Sequence, residues 1–290
     1  MAVGALSRKI IDPRTEIVST GSIEVPNPYS PGEFSVFKDW KAHGAVDMRE
    51  AIAVSSNVYF YIIGGGFKSQ KGLGIRAIYE YAHLFGLGSQ TGIDLPGEEE
   101  GLVPSPDWKE ATFDGDPWRL GDTYHTAIGQ YGFLVTPIQM ARMVAAIAAG
   151  GDLAVPHVFS GSSPRITALG LDDKDLAVVR DGMRLGVTSG TAKALDVSYV
   201  RFAAKTGTAE LGATKRKVNS WIEGFFPYDN PRYAFAIVME RGAVGNTIGA
   251  ASVASRFFEW MSIYTPQYFG YNAPNVNEKG VPEQGEAGGA

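Results

Sequence analysis

The stretch from Phe202 to Tyr264 most narrows what this chain can fold into. Phe202-Ala203-Ala204 is a short apolar run that enters Lys205-Thr206-Gly207-Thr208. Two further apolar runs follow, Ser220–Phe226 and Tyr233–Glu240, joined by Pro227-Tyr-Asp-Asn-Pro231. Proline and Asp-Asn between two such runs predict a turn, so these two runs read as a β-hairpin. From about Ile248 to Tyr264 the pattern becomes helical. Consecutive strands closed by a helix bury their apolar sides as an antiparallel sheet with helices packed on it. The upstream chain reads as helices that do not alternate with strands, so the fold class expected is α+β rather than a parallel βαβ array.

Upstream, residues 1–46 are expected to hold a short helical remnant, then irregular, turn-rich chain, because Pro26, Pro28, Pro31 and Gly32 break regular elements. Asp47 opens a helix: Asp47-Met-Arg-Glu50 has capping-box spacing, and Ala51, Ile52 and Val54 give it an apolar side. Ser55-Ser56-Asn57 then interrupts, since such side chains bond nearby backbone in competition with the helix. Apolar Val58–Ile63 resumes until Gly64-Gly65-Gly66. A hydroxyl and an amide, on Ser55 and Asn57, thus stand at a break between two buried helical pieces. Residues 64–74 read as a glycine-rich loop without the Gly-Lys-Ser/Thr of a phosphate loop. A helix is expected over 75–85, loop-rich chain over 87–122, and a helix from Thr136-Pro137 with Ile138, Ala141, Val144, Ala145 and Ile147 inward. Leu153–Phe159 is expected as a strand and 172–185 as an amphipathic helix. From Pro266 on, apolar residues thin out, so 1–264 is expected as the folded domain and 265–290 as a disordered tail.

Composition removes several function classes. The net charge of −5 and the lack of a Lys/Arg run argue against a nucleic-acid partner. There is no cysteine, which excludes thiol catalysis, disulfides and cysteine-ligated metals. His43, His83, His125 and His157 lack ligand spacing, and each is expected as a surface or packed residue rather than a metal ligand. No run of about 18 apolar residues is present to span a membrane, and the first nine residues lack the pattern of a signal peptide.

The chemistry on the Lys205 strand points to an anionic, peptide-like ligand. Lys205 supplies a compact positive charge. Thr206 and Thr208, two apart, share a face. Gly207 lets another backbone approach. An extended peptide laid along such an edge gains main-chain hydrogen bonds.

Ser55-x-Asn57 followed by Val-Tyr-Phe-Tyr, then Lys205-Thr-Gly-Thr ahead of a hairpin and a last helix, resembles the transpeptidase domain of class B penicillin-binding proteins, elongation-type group. Gly44-Ala-Val-Asp-Met-Arg-Glu-Ala-Ile, Gly121-Asp-Thr-Tyr, Ile128-Gly-Gln130, Val135-Thr-Pro-Ile-Gln-Met-Ala141 and Trp221-Ile-Glu-Gly-Phe-Phe-Pro extend the likeness from Met1 to Tyr264. The resemblance implies a three-layer α/β/α fold, an antiparallel sheet with helices on both faces, here missing the first strands and the nucleophile helix. It implies acyl transfer from D-Ala-D-Ala stem peptides, β-lactam binding, and no cofactor or metal. Ser55 is then the proton relay, Asn57 the clamp on the substrate amide, and Lys205 the source of the local field. Thr206, Gly207 and Thr208 hold the substrate, the two threonines facing its carboxylate, and the Thr208 backbone N–H is half of the oxyanion hole.

The same resemblance places the Ser-x-x-Lys nucleophile just before the Ala2–Ser7 segment, hence upstream of Met1. The chain is therefore expected to be a C-terminal fragment, or to start at an internal methionine, and to be inactive alone. Ser35-Val-Phe-Lys38 has the spacing, but lies between Pro31-Gly32 and Gly44, too short a window for the helix that must present both side chains. Two functions follow: most of a peptidoglycan D,D-transpeptidase domain, acting at the extracytoplasmic face of the cytoplasmic membrane, or a non-catalytic module that binds penicillin or stem peptide or docks on a partner such as a cell-wall glycosyltransferase. A serine β-lactamase is a weaker third reading.

Overall fold

A computed structural model describes residues 1–212, 214–246 and 248–270. In chain order the elements are α1 (Ala2–Ser7), β1 (Ile17–Ser19), β2 (Ser22–Pro26), β3 (Phe34–Lys38), β4 (Gly44–Val46), α2 (Met48–Val54), α3 (Asn57–Gly65), α4 (Ile75–Leu84), α5 (Pro106–Thr112) and α6 (Leu120–Ala127). There follow α7 (Pro137–Ala148), β5 (Asp152–Ala154), β6 (Ile166–Ala168), α8 (Asp173–Thr188), β7 (Ala203–Leu211), β8 (Lys217–Phe226), β9 (Tyr233–Ala243) and α9 (Ala250–Tyr264).

The late strands pair antiparallel in the order β7-β8-β9, with Lys205 opposite Glu223, Gly207 opposite Trp221 and Phe225 opposite Ala234. Because neighbours on a strand face opposite ways, this register divides the sheet into two apolar faces. Ala203 and Phe225 join a core built from α1, α2, α7 and α8, including Ile52, Val144, Val179 and Met183. Phe202, Ala204, Ile222 and Phe226 face the other way, onto Ala250, Ala254 and Phe258 of α9. The sheet thus carries helices on both faces, as expected. Fully buried Phe202 and Phe258 lie 4.7 Å apart, ring centre to ring centre, and each such aromatic contributes roughly 1.5–3 kcal/mol of burial.

On the first face, α2 and α8 cross closely because glycine lines the crossing. A Cβ on Gly182 would stand 2.9 Å from Ile52 Cβ, and one on Gly190, just past α8, 2.1 Å from the Ala53 carbonyl oxygen. That approach brings the end of α2, and with it the Ser55 break, to the edge of β7.

The structure corrects several expectations. Residues 17–46 are not irregular: β1 pairs with β4 and β2 with β3, Pro26 closes β2 opposite Phe34, and Pro28 and Pro31 sit in the Asn27–Glu33 turn between β2 and β3. Residues 87–122 contain α5 and the start of α6. Ser105 accepts from Trp108 N at 3.1 Å with Pro106 in the first turn, and Asp122 accepts from Arg119 N at 2.7 Å. The strand expected over 153–159 is only Asp152–Ala154, paired with β6, which the sequence reading missed. The folded unit also passes Tyr264. Pro266–Phe269 makes a 3₁₀ turn whose Phe269 is buried 5.3 Å from the Phe226 ring centre. The rest of the expected tail, 271–290, lies outside the described residues. No helix among the described residues is long and apolar enough to cross a membrane.

Candidate active site

The break between α2 and α3 forms as its side chains dictate. Asp47 accepts from Glu50 N at 2.9 Å, and Glu50 accepts from Asp47 N at 3.0 Å, the reciprocal box that starts α2. Ser55 ends it in the left-handed region, φ 58° and ψ 49°. Ser56 then caps α3, its hydroxyl accepting from Tyr59 N at 3.3 Å.

Three outside contacts hold this corner. The Asp39 carboxylate accepts from Ser56 Oγ at 2.8 Å and from Val58 N at 3.0 Å, placing a negative charge at the start of α3. Burial opposes that charge, but backbone donors at Val58 and Asn57 and the Ser56 hydroxyl outweigh it and hold the Asp39 carboxyl below its ordinary value. Trp40 Nε1 donates to the carbonyls of Val54 and Ser55, at 3.2 and 3.3 Å, closing the end of α2. Thr191 N donates to the Ala53 carbonyl at 3.1 Å from the loop after α8.

Across from the break lies β7. Lys205 Nζ donates to Ser55 Oγ at 2.7 Å and to the Thr206 carbonyl at 2.6 Å. Residues 150 apart in sequence thus join serine and lysine in one hydrogen-bonded pair. Thr206 Oγ1 donates to Thr191 Oγ1 at 2.6 Å, so the loop that grips Ala53 also grips β7. Gly207 lies opposite Trp221, and a Cβ on it would meet Trp221 Cβ at 3.3 Å. Thr208 is exposed on an edge strand, and its carbonyl accepts from Gln130 Nε2 at 3.0 Å. Asn57 opens α3 two residues beyond Ser55, its Nδ2 3.4 Å from the Lys38 carbonyl.

The electrostatics of the pair are set by burial. Desolvation lowers Lys205 to about 8, opposed by the charge of Glu223. Desolvation raises Glu223 to about 7, opposed in turn by Lys205. A lysine near 8 in contact with a serine hydroxyl can hand a proton on or take one up near neutral pH, which an ordinary lysine cannot.

The structure thus brings Ser55, Lys205, Thr206, Gly207 and Thr208 to one edge, with Asn57 beside them. Ser35 and Lys38 lie on β3, opposite Val25 and Ser22, and only the Lys38 carbonyl reaches Asn57. Three residues apart on a strand, their side chains leave opposite faces, unlike the same-face geometry a helix would give. Among the residues unassigned by the sequence, Asp39, Thr191 and Glu223 matter most. Only the Ser189-Gly190-Thr191 turn after a long helix could have drawn notice. No group of three or more His, Asp or Glu among the described residues is placed to hold a metal ion.

The chain is similar to known proteins over most of its length. The family model described as the penicillin binding protein transpeptidase domain matches residues 1–260. The peptidoglycan D,D-transpeptidase MrdA of Acinetobacter baumannii is 33% identical over 285 residues, covering 89% of this chain and 40% of that protein. The complex between penicillin-binding protein (PBP2) and MreC from Helicobacter pylori has a TM-score of 0.72 and 33% identity, covering 90% of this chain and 48% of the other. A structure described as the coordination of polymerization and crosslinking by a peptidoglycan synthase complex has a TM-score of 0.75 and 28% identity, covering 94% and 45%. The chain spans less than half the length of these relatives.

Proposed function

The chain belongs to the penicillin-binding protein transpeptidase family, in its elongation-type group, and from that premise we propose that it forms the substrate-binding and proton-relay half of a peptidoglycan D,D-transpeptidase site. The observation that carries the reading is the 2.7 Å bond from Lys205 Nζ to Ser55 Oγ, beside an edge strand able to take a peptide.

In this reading a stem peptide ending in D-Ala-D-Ala lies along β7 and displaces Gln130 from the Thr208 carbonyl. Its carboxylate faces the Thr206 and Thr208 hydroxyls in the field of Lys205, and Asn57 holds its amide. A serine hydroxyl attacks the penultimate carbonyl, its proton passing to the lysine of its own Ser-x-x-Lys motif, and the developing oxyanion meets the Thr208 N–H. The C–N bond to the terminal D-Ala breaks and an ester forms. Ser55 Oγ gives a proton to the departing amine and is resupplied from Lys205. The attacking serine is not Ser35, whose strand position separates it from Lys38. We assign it to residues outside the 290 here, so the chain alone does not form an acyl-enzyme. β-lactams occupy the same edge. The place of action is the extracytoplasmic face of the membrane. Docking on a partner such as a cell-wall glycosyltransferase is part of the reading, supported by structural relatives that occur in a complex with MreC and in a peptidoglycan synthase complex.

A fluorescent stem pentapeptide titrated against the chain tests the reading. Binding is expected, weakened about tenfold or more in Lys205→Gln, while absence of binding overturns it. Covalent capture of a fluorescent penicillin at Ser35 would overturn the assignment of the nucleophile. Binding without capture, even in a longer chain that supplies a Ser-x-x-Lys serine, would favour the non-catalytic module.

A further inference from the structure

Glu223 has no role in the site just described, yet its charge acts on Lys205. It lies on the central strand β8, directly opposite Lys205 in the register, so both side chains leave the same face of the sheet. Directly opposed residues on antiparallel strands hold their Cβ atoms roughly 4.5–5.5 Å apart. Glu223 is 9% exposed, and its Oε2 is buried without a hydrogen-bond partner among the described residues. A carboxyl left so is costly unless a charge faces it.

On β9 the partner of Glu223 is Ala236. The arginines of the neighbouring helices are engaged elsewhere. Arg49 of α2 pairs with Asp181 at 3.0 Å, and Arg142 of α7 donates to the Ala154 carbonyl at 2.7 Å. On α8, Arg180 pairs with Asp173 at 2.8 Å and Arg184 donates to the Phe202 carbonyl at 2.7 Å. The nearby acids are engaged too: Glu50 receives Asp47 N at 3.0 Å, and Asp175 receives Ser7 Oγ at 3.1 Å. Desolvation pushes each group toward its neutral form, and the charge of the other, across the strand pair, opposes it.

We propose that Glu223 is the positioning residue for Lys205, a buried counter-charge across the strand pair that keeps the ammonium protonated and directed at Ser55 Oγ. The role rests on the reading of Lys205 as part of the acyl-transfer site. Without the carboxylate, desolvation acts on Lys205 unopposed, and the lysine gives up its proton at lower pH. Ser55 Oγ then loses the donor that restores its proton after each transfer.

Competitive labelling of lysines with an amine-acylating reagent, read by mass spectrometry on the peptide holding Lys205, gives the midpoint pH of that one side chain. In the native chain it is expected near 8. In Glu223→Gln it is expected lower by about one pH unit, and in Glu223→Asp, which keeps the charge, the shift is expected to be smaller. An unchanged midpoint in folded Glu223→Gln overturns the proposal. Should that variant fail to fold, carbon-13 titration of the Glu223 carboxyl decides. Its midpoint, near 7 in the native chain, is expected to rise by about one pH unit in Lys205→Met, and a fixed midpoint overturns the proposal. Both readouts are independent of stem-peptide binding. A shifted midpoint without peptide binding sinks the functional reading and leaves the pair standing. The reverse sinks only the pair.

Discussion

Ser55 occupies a left-handed backbone, φ 58° and ψ 49°, which costs a residue bearing a Cβ about 1–2 kcal/mol. The position keeps a serine because its hydroxyl meets Lys205, not because the turn favours it. This predicts an inversion. Ser55→Ala and Ser55→Gly both lose the hydroxyl, so their difference isolates the backbone. Glycine, ordinarily worse than alanine beside a helix, should here be the more stable by about 1 kcal/mol. Urea midpoints of the two variants measure this, and a more stable alanine variant would refute the strain. At this scale the sequence was legible wherever a residue's chemistry lies within a short motif. Ser55, Asn57 and Lys205-Thr-Gly-Thr could be picked out by type and spacing. Asp39, Thr191 and Glu223 could not, because what defines them is contact with residues 15 or more positions away.

At the scale of elements, the α2–α3 corner is a clamped break. Asp39 is its main support, since one carboxylate receives Ser19 Oγ, Ser56 Oγ and Val58 N. Replacing it with an amide removes the charge at the start of α3 and turns acceptor positions into donors. Asp39→Asn is expected to cost about 2–3 kcal/mol, read as a lower denaturant midpoint with an unchanged slope. The sign with pH follows from a carboxyl held below its ordinary value: its contribution is full at neutral pH and fades as pH falls through the native midpoint. The native chain should therefore converge on Asp39→Asn in stability at strongly acid pH, and a constant gap would count against the carboxylate as the cause. Elements with local signals were legible, such as the Asp47 box, the Thr136-Pro137 start and the hairpin around Pro227–Pro231. The short ladders β1–β4 and the helices α5 and α6 were not. Their apolar pattern is brief, and their prolines read as breakers until pairing shows them to be turns and first-turn positions.

For the whole molecule, the buried Lys205–Glu223 pair is a charge system that the unfolded chain lacks, so it must appear in the pH dependence of global stability. Glu223 titrates near 7 when folded against an ordinary 4.5. Between those values the native state holds a proton that the unfolded state has released, so stability falls as pH rises through that window. Lys205 has the opposite displacement, near 8 against 10.5. Between those values the unfolded state binds the extra proton, and stability rises with pH. Carboxylates such as Asp39 add a rise of their own on the acid side, which a difference between two variants removes. Glu223→Gln cannot take up or release the proton, so its stability relative to the native chain should climb from pH 4.5 to 7, by up to roughly 3 kcal/mol for a shift of this size. Above 7 Glu223 is ionised in both states and its own contribution ends; the climb should then continue only to about 8, where the native Lys205 also begins to lose its proton. Denaturant unfolding of both proteins at half-unit pH steps measures the difference directly. A flat difference across that window would mean that Glu223 is already ionised in the folded chain at pH 4.5 to 7, and that the face of the sheet beneath the site is wetter than its packing indicates.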